Sequence, residues 1–449
     1  MNRRTFLSTT ALAVTGMRAL AQETMVLQQT PSLDSIEEKP RKIPVVKACD
    51  VCVLGGGCTG VFAAVRAAQM GARVALVEKQ NAFGGMATAG IVNVWHKLIS
   101  NSQDRKQIIG GLTEQVIKKL ELLGAVNSDA HGFYLNTEEL KIELDALVLE
   151  HKITPYLNTV YVGAQLQHNQ INAVFIENKN GRQAIRAKVF IDATGDGDLA
   201  MHAGLPFEIR DGLQPPTTCA KIIGLPKNIR KLIDVHREEF GLVPDATWDA
   251  EIPSSSGVKM CAYRHVFDTV ATDADQLTAA EIEGRRQVRV YMNIARKYGG
   301  EFNKPCLLDL PSSLGIRETR SFSANYTLTG EDVLACRRFE DAIANGTYPV
   351  DIHDPKTGTY KFQRLKGDFY QIPFSTMVSD KSPNLVLAGR MISADRVAFG
   401  AVRVMVNLNQ TGEAAGVAAA LAVSGSKTVP QISAKAVREN LAKLGAVII

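Results

Sequence analysis

This 449-residue sequence predicts an α/β fold of Rossmann-like type, and three observations carry the prediction. A short apolar strand at 51–54 runs straight into a glycine-rich turn and a helix rich in small residues. A second apolar strand follows and ends in an acid, Glu78. Strands running into glycine turns recur at 188–197 and again at 384–389. Alternating apolar strands and helices of this kind build a parallel sheet covered on both faces.

Size and composition bound the rest. The sequence is 45% apolar and 22% charged, ordinary for a globular chain of two or three domains. A net charge of +5 with no basic cluster argues against nucleic acid as a partner. No apolar run reaches the length of a transmembrane anchor. Residues 1–21 read as a signal peptide: Arg3 and Arg4, a short apolar stretch from Phe6 to Val14, then Ala19-Leu20-Ala21 as a cleavage site. Paired arginines followed by Thr5-Phe6-Leu7 resemble the bacterial twin-arginine signal, which exports folded cargo, so a periplasmic or secreted location is expected. Residues 22–46 carry Pro31, Pro40 and Pro44 without periodicity and read as a linker.

Seven cysteines leave at least one thiol free. Cys49 and Cys52 are spaced like a redox pair, but residues three apart on a strand face opposite ways and cannot bridge. No metal spacing appears: neither a zinc nor an iron–sulfur pattern is present.

The first glycine cluster carries the clearest chemistry. Gly55 makes the tight turn, Gly57 lets the backbone approach a pyrophosphate, and Gly60 allows close packing of helix on strand. The helix start at Cys58-Thr59-Gly60 offers free N–H groups and a positive dipole end to the phosphates. Glu78 is placed to accept hydrogen bonds from ribose hydroxyls. Cys58 reads as a small residue tolerated beside the phosphates, although a helix N-terminus can stabilise a thiolate. The unit alone leaves NAD and FAD open. Lys79 and the flexible run Phe83-Gly84-Gly85-Met86-Ala87-Thr88 can wrap the far side of a longer dinucleotide, which favours FAD.

Further along, Asn136 starts an amphipathic helix, and a strand is expected at 153–157. Antiparallel strands follow, with turns at His168-Asn169 and Lys179-Asn180-Gly181. The strand 188–191 ends in Asp192-Ala193-Thr194-Gly195-Asp196-Gly197, a second place for backbone to approach phosphate or flavin.

The order G-G-G-x-x-G, E-K, F-G-G-M-A-T-A-G and I-D-A-T-G-D-G-D, with later segments such as L-G-I-R-E-T-R, resembles the bacterial FAD-dependent oxidoreductases with a glutathione-reductase-like FAD domain. The likeness covers residues 48–424. It implies an FAD-binding domain in two parts, 47–206 and 371–425, an inserted α+β substrate domain at 207–370, and a C-terminal tail at 426–449. It also implies FAD contacts from the glycine-cradle and loop residues above, from Val160, Ala193, Thr194 and Gly195, and from Gly389, Arg390, Arg403, Val404 and Met405 near the flavin. Gln214–Thr218 is faintly similar to the Q-x-H-P-T stretch of fumarate reductases, but proline stands where the histidine belongs, so that substrate chemistry is not carried over.

In the inserted region, Thr278 is expected to cap a helix that Gly299 ends. Candidates for proton transfer are His96, His265, Tyr326 and Tyr370, and Arg317 and Arg320 are candidates to bind an acidic substrate or its oxyanion. Only one complete dinucleotide cradle is present and no working dithiol, so the electron acceptor is expected to be oxygen, a quinone or a small redox protein. The expected function is exported, FAD-dependent oxidation of a small polar molecule by hydride transfer to flavin N5. The rivals are a flavin-dependent reductase of a C=C bond and a non-catalytic FAD-binding protein.

Overall fold

A computed structural model describes residues 36–245, 248–302 and 304–449. The export signal expected at 1–21 lies outside the described residues, as does most of the expected linker. The frame is a five-stranded sheet ordered Leu385–Leu387, Val189–Asp192, Val51–Leu54, Val74–Val77, Thr154–Tyr156. All four pairings in it are parallel. Its inner strands are unbroken apolar runs because both faces are covered, as a parallel sheet demands. The chain leaves Val51–Leu54 toward one side and returns on the other at Val189–Asp192, so the strand order reverses between them. The crevice beyond their C-terminal ends is where such sheets bind ligands.

Two helices cover one face, Cys58–Gln69 and Met405–Gly425. They approach closely because glycines recur at four-residue spacing. A Cβ at Gly412 would stand 2.1 Å from Thr59 O, and one at Gly416 2.1 Å from Ala63 O. Deeper along the same interface Arg66 and Glu413 form an ion pair with both side chains 1% exposed.

A second sheet carries the antiparallel strands Val160–Gln167, Gln170–Asn178 and Gly181–Arg186, turning where the sequence indicated. The strand Val45–Ala48 joins its edge in parallel, so the last two residues of the expected linker, 45 and 46, are sheet. The segment is four residues long and largely exposed, and it gave no periodic signal. A third sheet, Trp248–Glu251, Val258–Ala262, Ala220–Ile223 and Cys306–Asp309, packs against the helices Ile229–His236 and Ala274–Tyr298. The longer helix is capped by Asp273, whose carboxylate accepts from Gln276 N at 2.9 Å. Thr278, the expected cap, lies inside the first turns and donates to Ala274 O. Asn136 caps its helix as expected, accepting from Glu138 N.

All seven cysteines are free thiols. Cys52 lies inside the central sheet and Cys49 donates to Val51 O. Among the described residues no helix is long and apolar enough to cross a membrane.

Candidate functional site

The crevice opens into a cavity of about 1070 Å³. Its floor is made by the glycine turns. Gly55 has φ +94°, and a Cβ there would lie 2.2 Å from Ala193 O, so the two turns abut through bare backbone. Gly60 serves packing: its Cβ would meet Gly55 O at 1.8 Å, and the residue does not line the cavity. Gly57 is the opposite case. The nearest atom to a Cβ there is Gly85 Cα at 3.8 Å, so a side chain would project into the cleft itself. This is the shape of a cradle left open for a phosphate group.

Glu78, buried at the end of its strand, lines the cavity. Its Oε2 accepts from Gly56 N at 2.6 Å and its Oε1 from Gln80 N at 2.7 Å. Each carboxylate oxygen has a further lone pair for a ribose hydroxyl. Lys79, Gly84, Gly85 and Met86 line the same end. Thr88 sits behind them, its hydroxyl donating to Phe83 O. Cys58 lines the cavity, but burial pushes its thiol up to about 12, so it is neutral at physiological pH despite its place at a helix start.

The second turn is organised from below. Asp192 Oδ1 accepts from Thr194 N and Oγ1, and Oδ2 from Ala200 N. Burial lifts this carboxyl to about 6 in spite of those bonds. Ala193, Thr194 and Gly195 reach the cavity, and so do Gly389, Arg390, Arg403, Val404 and Met405. Arg390 spans the turn, donating to Ile316 O at 3.0 Å and pairing with Asp196 at 3.2 Å. A Cβ at Gly195, whose φ is +85°, would meet that guanidinium at 2.6 Å. Val160 is on an outer strand, 47% exposed and off the cavity.

Of the six candidate side chains, three reach the cavity: His96, His265 and Arg317. His96 lines it, its ring 4.2 Å from that of Tyr348. Burial, with the charge of Arg403, lowers His96 to about 4, so its imidazole is neutral at pH 7. Arg317 also lines it, donating to Pro215 O at 2.7 Å and Thr217 Oγ1 at 2.8 Å. Arg320 instead braces the second turn from outside, bonded to Asp196 O and Asp198. Tyr370 is wholly buried in the strand Tyr370–Pro373, its hydroxyl donating to Ala401 O and accepting from Asn407. Tyr326 bonds Asp332, away from the cavity. These residues had chemistry in their favour and packing against them.

Tyr348, Asp351 and His353 also line the cavity, and the motif reading passed over them. Asp351 and His353 sit two apart on the strand Val350–His353, hence on one face. Asp351 Oδ2 accepts from Tyr348 Oη at 2.8 Å and Arg403 at 3.0 Å and lies 3.2 Å from His353 Nε2. Burial raises this carboxyl, but His353 and Arg403 outweigh it and hold the group well below the usual carboxylate range. Burial and then Arg403 bring Arg317 down to about 10, which still leaves it charged at physiological pH.

Comparison with known proteins adds to this geometry. The family model described as FAD dependent oxidoreductase matches residues 50–441. A dihydrolipoyl dehydrogenase from Trypanosoma brucei brucei is 30% identical over 181 residues, 37% of this chain and 34% of that one. The chain thus matches about a third of that curated relative's length. Among solved structures, a geranylgeranyl bacteriochlorophyll reductase-like protein from Thermoplasma acidophilum aligns over 89% of this chain and 83% of its own, with 14% identity and a TM-score of 0.46. A flavoprotein/dehydrogenase from Cytophaga hutchinsonii aligns over 85% and 80%, with 14% identity and a TM-score of 0.44.

Proposed function

The chain belongs to the FAD-dependent oxidoreductase family, and from that premise we propose that it is an exported enzyme that oxidises a small, polar, anionic donor. The cofactor is FAD, and the open cradle at Gly57 with Glu78 at its side fits a dinucleotide. When bound, FAD supplies the hydride acceptor, its N5 atom. The residues that would hold it are Gly55, Gly57, Thr59 and the Gly84–Met86 loop for the pyrophosphate, Glu78 for the ribose, and Gly195, Gly389, Arg390 and Arg403 toward the ring. In this reading residues 47–206 and 371–425 carry the cofactor and 207–370 cover the donor. The paired Arg3 and Arg4 support export of the folded, loaded protein. Oxygen, a quinone or a small redox protein then removes the electrons.

One observation carries the substrate class. Arg317 is half-buried on the cavity wall and held only by neutral oxygens, with no carboxylate at ion-pair distance among the described residues. A charge drawn partly out of water without a paired counter-charge is costly. A donor carboxylate or developing oxyanion would offset that cost and be oriented by it. His96, neutral and beside Tyr348, shapes the same wall without adding charge.

The test is a donor screen followed by bleaching of the flavin absorption in the purified mature protein. Hydroxy and amino acids are expected to bleach it, while the matching neutral alcohols and amines do so far more weakly. Arg317→Leu should raise the donor's dissociation constant by about 10- to 100-fold, the weight of a charge-assisted hydrogen bond. Neutral donors that work as well as anionic ones, or an Arg317→Leu variant of unchanged affinity, would overturn the assignment.

A further inference from the structure

Four acid–base groups stand in one hydrogen-bonded row along this cavity. Asp245 Oδ1 is 2.5 Å from His265 Nδ1, His265 Nε2 is 2.9 Å from His353 Nδ1, and His353 Nε2 is 3.2 Å from Asp351 Oδ2. The side chains are 0, 4, 12 and 5% exposed in that order, so water does not compete for the bonds. His265 and His353 both line the cavity, as does Asp351.

The protons in this row can be counted. A neutral imidazole carries one N–H and one bare nitrogen. Two neutral histidines therefore bring two protons to the three gaps. If His265 donates to Asp245 and His353 to His265, the bare Nε2 of His353 faces the carboxylate of Asp351, lone pair against lone pair. One further proton fills every gap and leaves a single histidinium shared between two carboxylates. The row thus has room for one proton and an acceptor for it at the Asp351 end.

The surroundings decide when that place is filled. Arg264 lies 3.7 Å from Asp245 Oδ2, and Arg403 is bonded to Asp351. Arg317 acts on both histidines through space. Three arginines against two aspartates leave the neighbourhood net positive, which keeps the extra proton out. Uncharged described groups also face the row. Tyr348 donates to Asp351, the Tyr360 ring is 5.8 Å from that of His353, the Phe267 ring is 6.1 Å from His265, and Gln287 donates to His265 O. His96, behind Tyr348, is also neutral. Consistent with this, burial and then Arg317 bring His353 down to about 3, and burial also lowers His265 although Asp245 opposes it.

We propose that Asp245, His265, His353 and Asp351 form a one-proton store that is empty at rest and takes up its proton more readily when an anion neutralises Arg317. The inference rests on the anionic-donor reading above. Filling is a plain proton transfer. The O–H or N–H bond of the donor breaks and its electron pair stays on the heteroatom. The proton passes to the oxygen of Tyr348, the hydroxyl proton of Tyr348 moves to Asp351 Oδ2, and that proton is shared with His353 Nε2. Binding of the anion thereby strengthens the base that the donor meets.

The experiment is nitrogen NMR of the FAD-loaded protein labelled with 15N-histidine, titrated with pH in the absence and presence of acetate. His265→Gln and His353→Gln assign the signals. The two rings are expected to titrate as one coupled event, and each substitution should move the other ring's titration. Acetate should raise that event by about one pH unit or more, the usual effect of cancelling a nearby charge. Arg317→Leu should do the same without any anion. Rings that titrate independently, or a coupled event that Arg317→Leu leaves in place, would overturn the store. If Arg317→Leu raises the event and acetate does not, the store stands and the anionic-donor reading fails.

Discussion

Replacing Glu413 by Gln should destabilise the protein by about 3–5 kcal/mol. Glu413 lies on the helix Met405–Gly425 and pairs with Arg66 on the helix Cys58–Gln69, so one buried ion pair ties together the two helices whose N-termini face the cavity. Arg66 Nε donates to Glu413 Oε2 at 2.8 Å, a second guanidinium nitrogen bonds the same oxygen, and Leu112 N donates to the carboxylate at 3.2 Å. Burial outweighs the attraction of Arg66 and lifts the Glu413 carboxyl above its ordinary range, so the pair is costly to bury and costlier still to break. Gln keeps the shape and the acceptor for Leu112 N but removes the negative charge. Arg66 is then left buried with only Gln69, 2.7 Å away, and a neutral amide. At about 2 °C per kcal/mol for a chain of this size, the melting temperature should fall by about 6–10 °C. The assay is thermal and guanidinium unfolding of the FAD-loaded protein, with Arg66→Met/Glu413→Gln beside the single variant. The double variant should return to within about 1 kcal/mol of the wild type, because the uncompensated charge is gone. A single variant that costs less than about 1 kcal/mol, or a double variant as unstable as the single, would refute the reasoning.

Two further outcomes can be checked. Gly57→Ala should leave the unfolding temperature nearly unchanged, since φ is −60° and no atom lies within 3.4 Å of the added methyl, yet retention of FAD through gel filtration should be lost. For His96, burial lowers the folded pKa from 6.5 to about 4, so the folded state binds fewer protons than the unfolded one between those values. Its contribution to stability is complete above pH 6.5 and declines as pH falls toward 4, by up to about 1.4 kcal/mol per pH unit. Unfolding measured across that window should be less steep with pH in His96→Gln than in the wild type.

Local chemistry was legible in the sequence because its causes lie close together along the chain. The turn at Gly55, the packing contact at Gly60, the acid at Glu78 and the parallel strands around them follow from residues within about thirty positions of each other. The family follows from the same segments. Asn136 could be read as a cap because a cap acts on its own first turn, whereas Asp273 was displaced in the reading by Thr278, one turn further in.

What only the tertiary structure decided is which side chains share the cavity. Arg317 and Arg320 are three residues apart in one short stretch, yet one faces the cavity and the other braces a turn from outside. Tyr370 has the right functional group, but its strand turns it into the core. The row from Asp245 to Asp351 draws its members from three separate segments, and no spacing in the sequence announces it. The physical reason is that strand and turn propensities act between neighbours, while the dielectric, the counter-charges and the hydrogen-bond partners of a titratable group come from segments that meet only when the core closes.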